Sequence, residues 1–119
     1  MDPTMQMMGG NMKQFNLSPE EIKACHELQA TAFLNNAICW HLLKEYEKAE
    51  SNAKKSLLFN KSIKAHYRLG QSQKALKRYD DAIKSFKAAI MMDTSDPNDI
   101  QSELVVCERL EKANEKKRL

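Results

Sequence analysis

Apolar and small side chains recur at steps of three and four residues along much of this 119-residue chain, the spacing of one helical face. Two such patterns lie between residues 63 and 93 and are joined by a short polar corner. In the second pattern, Ala82, Phe86 and Ala89 form one apolar stripe. In the first, Gly70 has no side chain and would let a neighbouring backbone approach closely. The pattern predicts a helical hairpin with a packing face of small residues.

The same pattern occurs once more upstream, at an interval of 33 residues, as from Asn35 to Arg68. The matching residues are Asn35, Ala37, Tyr46, Ala49, Ser56 and Leu57 in the first copy and Arg68, Gly70, Tyr79, Ala82, Ala89 and Ile90 in the second. A helix pair repeated at this period is typical of stacked helical repeats, and the spacing resembles the tetratricopeptide repeat family. The resemblance implies an all-α fold, an α-α superhelix of about two helical hairpins.

Signals for helix ends divide the chain further. Ser18, Pro19 and Glu21 form a capping box with proline at the first helical position, which predicts the start of a long helix. Asp96 and Pro97 are a similar start for a last helix. The predicted helices are 19–43, 46–59, 63–76, 79–92 and 97–116. The first is a long N-terminal helix extension and the last a C-terminal capping helix with a polar outer face.

The expected domain organisation is a Met- and Gly-rich flexible segment at 1–17 and a partial repeat domain at 18–119. Within the domain we expect repeats at 30–62 and 63–96 and the capping helix at 97–117. Stacked repeats usually need about three units for stability, so an open end must be covered. The candidates are the helix extension, the Met-rich segment, another chain, or the remainder of a longer protein.

Composition favours the all-α prediction, because the chain has only three Gly and three Pro. The net charge of +3, with both signs interspersed, gives no case for a nucleic-acid partner. Cys25, Cys39 and Cys107 lack C-x-x-C spacing, which indicates a reducing compartment and half-buried or buried thiols. No apolar run of about 18 residues suggests a membrane span. We therefore expect a cytoplasmic protein without membrane partner, cofactor, metal site or catalytic residues.

In tetratricopeptide repeats the first helix of each hairpin lines a binding groove. The resemblance places the inward positions at Thr31, Leu34, Asn35, Ile38 and His41 in the first repeat and at Lys64, Tyr67, Arg68, Gln71 and Lys74 in the second. Lys64 and Arg68 are one helical turn apart, so both side chains can converge on one anionic group, and Asn35 can add an amide donor. The alternative is that these residues only solvate a helix face.

The sequence also resembles, more narrowly, the C-terminal repeat domain of FKBP-type immunophilin co-chaperones, at Leu34-Asn35, at Lys44-Glu45-Tyr46 and at the stretch from Lys64 to Arg68. The resemblance implies a clamp that holds the acidic C-terminal Glu-Glu-Val-Asp tail of heat-shock protein 90 or 70 class chaperones. The candidate peptide-binding residues are Asn35, Ile38, Lys64, Tyr67, Arg68, Gln71 and Lys74. The Lys-x-x-Gly-Asn run of the family's first repeat is absent, so only half of that clamp is predicted.

Two other functions stay open at this point. One is a structural scaffold that associates with itself through the open repeat end or the Met-rich N-terminus. The other is the regulatory repeat end of an FKBP-type peptidyl-prolyl isomerase whose catalytic domain is absent from this chain.

Overall fold

The computed structural model describes residues 16–96 and 98–118, and over these residues the chain is helical without any strand. The helices are α1 (Pro19–Leu42), α2 (Tyr46–Phe59), α3 (Ile63–Ala75), α4 (Tyr79–Met92) and α5 (Ile100–Arg118). The all-α prediction is confirmed, and the first four helices begin where the sequence signals place them. Of the predicted flexible segment, all but the last two residues lie outside the described part of the chain. None of the described helices is long and apolar enough to cross a membrane.

Helix α1 begins at the predicted capping box. The Ser18 hydroxyl oxygen accepts a hydrogen bond from the Glu21 backbone N–H at 3.1 Å, and the Glu21 carboxylate accepts one from the Ser18 backbone N–H at 3.1 Å. Both bonds satisfy donors that the first turn of a helix leaves without a partner. Because these two hydrogen bonds join residues only three apart, the start of α1 can be predicted from the sequence.

Helix α5 begins three residues later than predicted. The Asp96 carboxylate accepts hydrogen bonds from the backbone N–H groups of Ile100 and Gln101, both at 2.7 Å. Asp96 and Asp99 have φ values of 49° and 53°, so the chain makes a further turn before the helix starts. Asp96 therefore caps the helix, as predicted. It does so from four residues before Ile100 and five before Gln101, the residues whose backbone N–H groups donate to it.

The two hairpins turn in the same way. Lys44 and Lys77, 33 residues apart, have φ values of 63° and 64°, in the left-handed region. In each corner the next residue donates its backbone N–H five residues back: Glu45 to the Trp40 carbonyl and Arg78 to the Gln73 carbonyl, both at 2.9 Å. This is the Schellman arrangement, built here on lysine where glycine is usual. The repeat in sequence is therefore also a repeat in backbone geometry.

Two clusters of buried side chains hold the stack together. The larger joins α4 to α5 and contains Ala82, Phe86, Ala89, Ile100, Leu104 and Cys107. The smaller joins the hairpins and contains Ala37 of α1, Ala53 of α2 and Leu69 of α3. Cys25 is half-buried and Cys107 buried, as predicted, but the prediction for Cys39 is wrong, because its side chain is exposed. The core therefore runs through all five helices as a layer of mostly small residues.

Gly70 admits an aromatic ring and not, as predicted, a neighbouring backbone. A Cβ atom at Gly70 would lie 2.6 Å from Cε1 of Phe86, and the nearest atoms around it all belong to that ring. Phe86 is fully buried, so the ring has no open space into which it can move. The glycine therefore makes room for the largest side chain of the core.

We expect Gly70→Ala to lower the free energy of unfolding by about 1–2 kcal/mol. Overpacking costs about 1–3 kcal/mol, and the better helix propensity of alanine returns up to about 1 kcal/mol. Urea denaturation followed by circular dichroism measures the change. In a Phe86→Leu background, where the ring is gone, the same substitution should cost less. An equal cost in both backgrounds would show that the ring is not the obstacle.

Candidate functional site

The predicted groove residues line two adjoining cavities between α1 and α3. The first, of about 370 Å³, is lined by Leu34, Ile38, Lys64, Tyr67, Arg68 and Asn98. The second, of about 290 Å³, is lined by residues that include Thr31, Leu34, Asn35, Ile38 and Lys64. Both share Leu34, Ile38 and Lys64. The structure therefore places five of the seven candidate residues around one continuous depression, with the two cations on α3 opposite the apolar side chains of α1.

Arg68 is oriented by its neighbours on α3. Its Nη1 donates a hydrogen bond to Oε1 of Gln71 at 3.2 Å, and Nε2 of Gln71 donates to the Tyr67 hydroxyl at 2.7 Å. The guanidinium carbon also lies 5.9 Å from the centre of the Tyr67 ring. Gln71 and Tyr67 thus fix the direction of the guanidinium group, which leaves its other N–H groups able to bind a ligand.

The charges of the first cavity are not neutralised from within. Between described residues, ion pairs join Lys54 to Glu50, Lys74 to Glu103 and Arg78 to Glu50, and neither Lys64 nor Arg68 takes part in one. Two cations held one turn apart without a carboxylate partner attract an anionic group. The arrangement suits a planar carboxylate, which a guanidinium fork can bind with two hydrogen bonds.

Lys74 is placed differently from the other two candidate cations. Its Nζ lies 2.9 Å from Oε2 of Glu103 on α5, and this hydrogen bond raises the pKa of Lys74. Lys74 and Gln71 line a further cavity of about 290 Å³, together with His41, Ala75, Tyr79, Glu103 and Leu110. The charge of Lys74 is therefore already paired, and the structure does not bring it to the cavity of Lys64 and Arg68.

His41 lies at the end of α1, beside the cavity of Lys74. Burial lowers its pKa, and the positive charge of Arg68 lowers the pKa further. Its ring packs edge-on against Tyr46, with ring centres 5.2 Å apart. His41 is therefore neutral at pH 7 and adds no charge next to Arg68.

The sequence prediction missed the residues that the α4–α5 region brings to these cavities. Asn98, in the connection between the two helices, lines the cavity of Lys64 and Arg68. Glu103 and Leu110 of α5 line the cavity of Lys74. All three lie in the predicted capping segment, which the sequence analysis expects only to cover the end of the repeat stack.

Comparison with known families tests the repeat directly. Residues 63–96, which contain α3, α4 and the turn that follows, match the model of the tetratricopeptide repeat family. The match supports that family. The five-helix arrangement agrees with tetratricopeptide hairpins, since α1 and α2 repeat the corner geometry of α3 and α4. A tetratricopeptide repeat implies a protein–protein interaction module, and such modules are generally not catalytic.

Proposed function

We propose that this tetratricopeptide module binds an acidic C-terminal peptide in the cavity between α1 and α3. The resemblance to FKBP-type immunophilin co-chaperones supplies the peptide: the Glu-Glu-Val-Asp tail of heat-shock protein 90 or 70 class chaperones. The proposal rests on one observation. Lys64 and Arg68 line a cavity with Leu34 and Ile38, and neither cation has a carboxylate partner among the described residues.

A terminal aspartate offers two carboxylates, one from its side chain and one from the chain end. In our proposal Arg68, held by Gln71, binds one of them through its fork, and Lys64 supplies a point charge to the other. Asn35 adds a neutral donor from the adjoining cavity. The apolar residue before the aspartate lies against Ile38 or Tyr67. Binding is weak, because a short peptide loses much freedom on ordering, and it weakens further with added salt.

We expect Arg68→Ala to weaken binding by about tenfold or more, because hydrogen bonds to charged groups contribute about 1.5–3 kcal/mol. Lys74→Ala should change the affinity much less, since Lys74 is paired with Glu103. Fluorescence anisotropy of a labelled Met-Glu-Glu-Val-Asp peptide measures both. Lys84→Ala, at an exposed lysine of α4, is the control for loss of one positive charge.

The same peptide with an amidated C-terminus tests whether the chain end is recognised. Amidation removes one of the two carboxylates and should abolish most of the binding. Equal losses of affinity in the Arg68, Lys74 and Lys84 variants would show that the peptide is attracted by the overall positive charge and not held by a clamp. Absence of binding to either peptide would reject an acidic C-terminal peptide as the ligand.

A further inference from the structure

The ion pair of Lys74 and Glu103 connects α3 to α5 at the edge of a cavity. Nζ of Lys74 lies 2.9 Å from Oε2 of Glu103, and the two side chains are 32% and 33% exposed. Lys74 comes seven residues after Tyr67, so both lie on the same face of α3. Without Glu103, the positive charge of Lys74 would be available to a ligand on this face.

The packing of α5 fixes the position of Glu103. Ile100 and Leu104, on either side of it in the sequence, are buried in the core cluster that α5 shares with α4. This contact sets the rotation of α5 about its own axis, and Glu103 then lines the cavity of Lys74. The fold itself therefore presents the Glu103 carboxylate to Lys74.

The cavity of Lys74 continues the first cavity along α3. Gln71 lines the cavity of Lys74, and its side chain is hydrogen-bonded to Arg68 and to the Tyr67 hydroxyl, which both line the first cavity. Charge acts across the same distance. Burial lowers the pKa of His41 in the cavity of Lys74, and the charge of Arg68 lowers it further. The two cavities are thus neighbours, with Gln71 between them.

A peptide bound in the first cavity is long enough to reach Lys74. Arg68 and Lys74 are six residues apart on α3, which corresponds to about 9 Å along the helix axis. An extended peptide advances about 3.3–3.6 Å per residue, so residues two and three positions before its end lie about 7–11 Å from the last one. In a Glu-Glu-Val-Asp tail whose aspartate binds Arg68, these residues are the two glutamates.

We infer that Glu103 determines the specificity of the module, because it binds Lys74 in place of a carboxylate of the peptide. The inference rests on the proposed binding of an acidic C-terminal peptide. A glutamate of the peptide can bind Lys74 only if it displaces Glu103. Such an exchange replaces one half-exposed ion pair by another and contributes little affinity. The module therefore recognises the carboxylates of the last residue and discriminates little between acidic and neutral residues before it.

Fluorescence anisotropy with two labelled peptides, Met-Glu-Glu-Val-Asp and Met-Ala-Ala-Val-Asp, tests the inference on the full chain. For the unmodified chain the two affinities should differ by about twofold at most. Glu103→Gln keeps the shape of the side chain and frees the charge of Lys74. This variant should bind the glutamate peptide about threefold to fivefold more tightly than the alanine peptide, the range expected for a half-exposed ion pair. Adding Lys74→Ala to Glu103→Gln should remove the preference.

Glu108→Gln is the matched control, at an exposed glutamate of α5 that does not line the cavity. It should show the same small preference as the unmodified chain, and circular dichroism checks that all variants are folded. Equal preferences in the unmodified chain and in Glu103→Gln would overturn the inference and leave the proposed peptide binding intact. A preference that persists without Lys74, or that Glu108→Gln also produces, would overturn it as well. Absence of binding of either peptide to every form of the chain would reject the proposed function and the inference together.

Discussion

Replacement of Phe86 by alanine should lower the free energy of unfolding by about 3–5 kcal/mol, the usual cost of removing a buried aromatic ring. Phe86 is fully buried and belongs to the cluster that joins α4 to α5. Its ring also lies against Gly70 and, with ring centres 6.0 Å apart, against Tyr67. Small neighbours such as Ala82 and Ala89 cannot fill the space, so a cavity remains. Urea denaturation followed by circular dichroism measures the loss.

Met91→Ala is the matched control for this variant. Met91 lies in the same helix but is 81% exposed, so its truncation should change stability by less than about 0.5 kcal/mol. If Phe86→Ala does not fold, Phe86→Leu retains part of the volume and gives a smaller, measurable loss. A Phe86→Ala protein as stable as the Met91→Ala control would mean that the ring does not hold α3, α4 and α5 together.

Replacement of Glu50 by alanine should cost about 2–3 kcal/mol, because it leaves the buried amide of Gln73 without its acceptor and removes a charge-assisted hydrogen bond from the exposed Arg78. Glu50 lies on α2 and is only 7% exposed. Its carboxylate accepts hydrogen bonds from Nη1 of Arg78 at 2.7 Å and from Nε2 of Gln73 at 3.3 Å. Gln73 in turn accepts a hydrogen bond from the Ser85 hydroxyl at 2.6 Å. The network connects α2 to both helices of the next hairpin, and its loss should appear as a lower midpoint of urea denaturation.

Glu108→Ala, at an exposed glutamate of α5, is the control for the loss of one negative charge. It should change stability by less than about 0.5 kcal/mol. Glu50→Gln keeps an oxygen acceptor, so the stability of this variant should lie between that of the control and that of Glu50→Ala. Equal stability of the Glu50→Ala and Glu108→Ala proteins would show that the network contributes nothing to the fold.

Helix ends and the position of the two cations could be predicted because their signals are local. The capping box at Ser18 involves residues three apart, and the approach of Lys64 to Arg68 is fixed by one helical turn. The start of α5 could not be predicted to the residue. Asp96 caps the helix across an extra turn whose backbone angles the sequence does not reveal.

Contacts between hairpins could not be predicted, since the repeat pattern does not contain them. At an interval of 33 residues, Glu50 corresponds to Ile83 in the second hairpin and Gln73 corresponds to Trp40 in the first. The hydrogen-bond network therefore does not recur in the repeat, and the repeat pattern does not indicate it. The pairing of Lys74 with Glu103 likewise depends on how α5 packs. Lys74 therefore looks equivalent to Lys64 and Arg68 in the sequence, but differs from them in the structure.

The outer surface of α5 has a consequence for larger assemblies. Its exposed side chains include Gln101, Glu108, Arg109 and Lys112. Among its described side chains, Val106, at 40% exposed, is the only large apolar one on the surface, which is too little for an apolar contact with a further helix. A head-to-tail contact between α1 of one molecule and α5 of the next is therefore unfavourable, and with it the open filament that such contacts generate. The polar outer face of α5 therefore disfavours growth of the repeat stack by the addition of another molecule at this end.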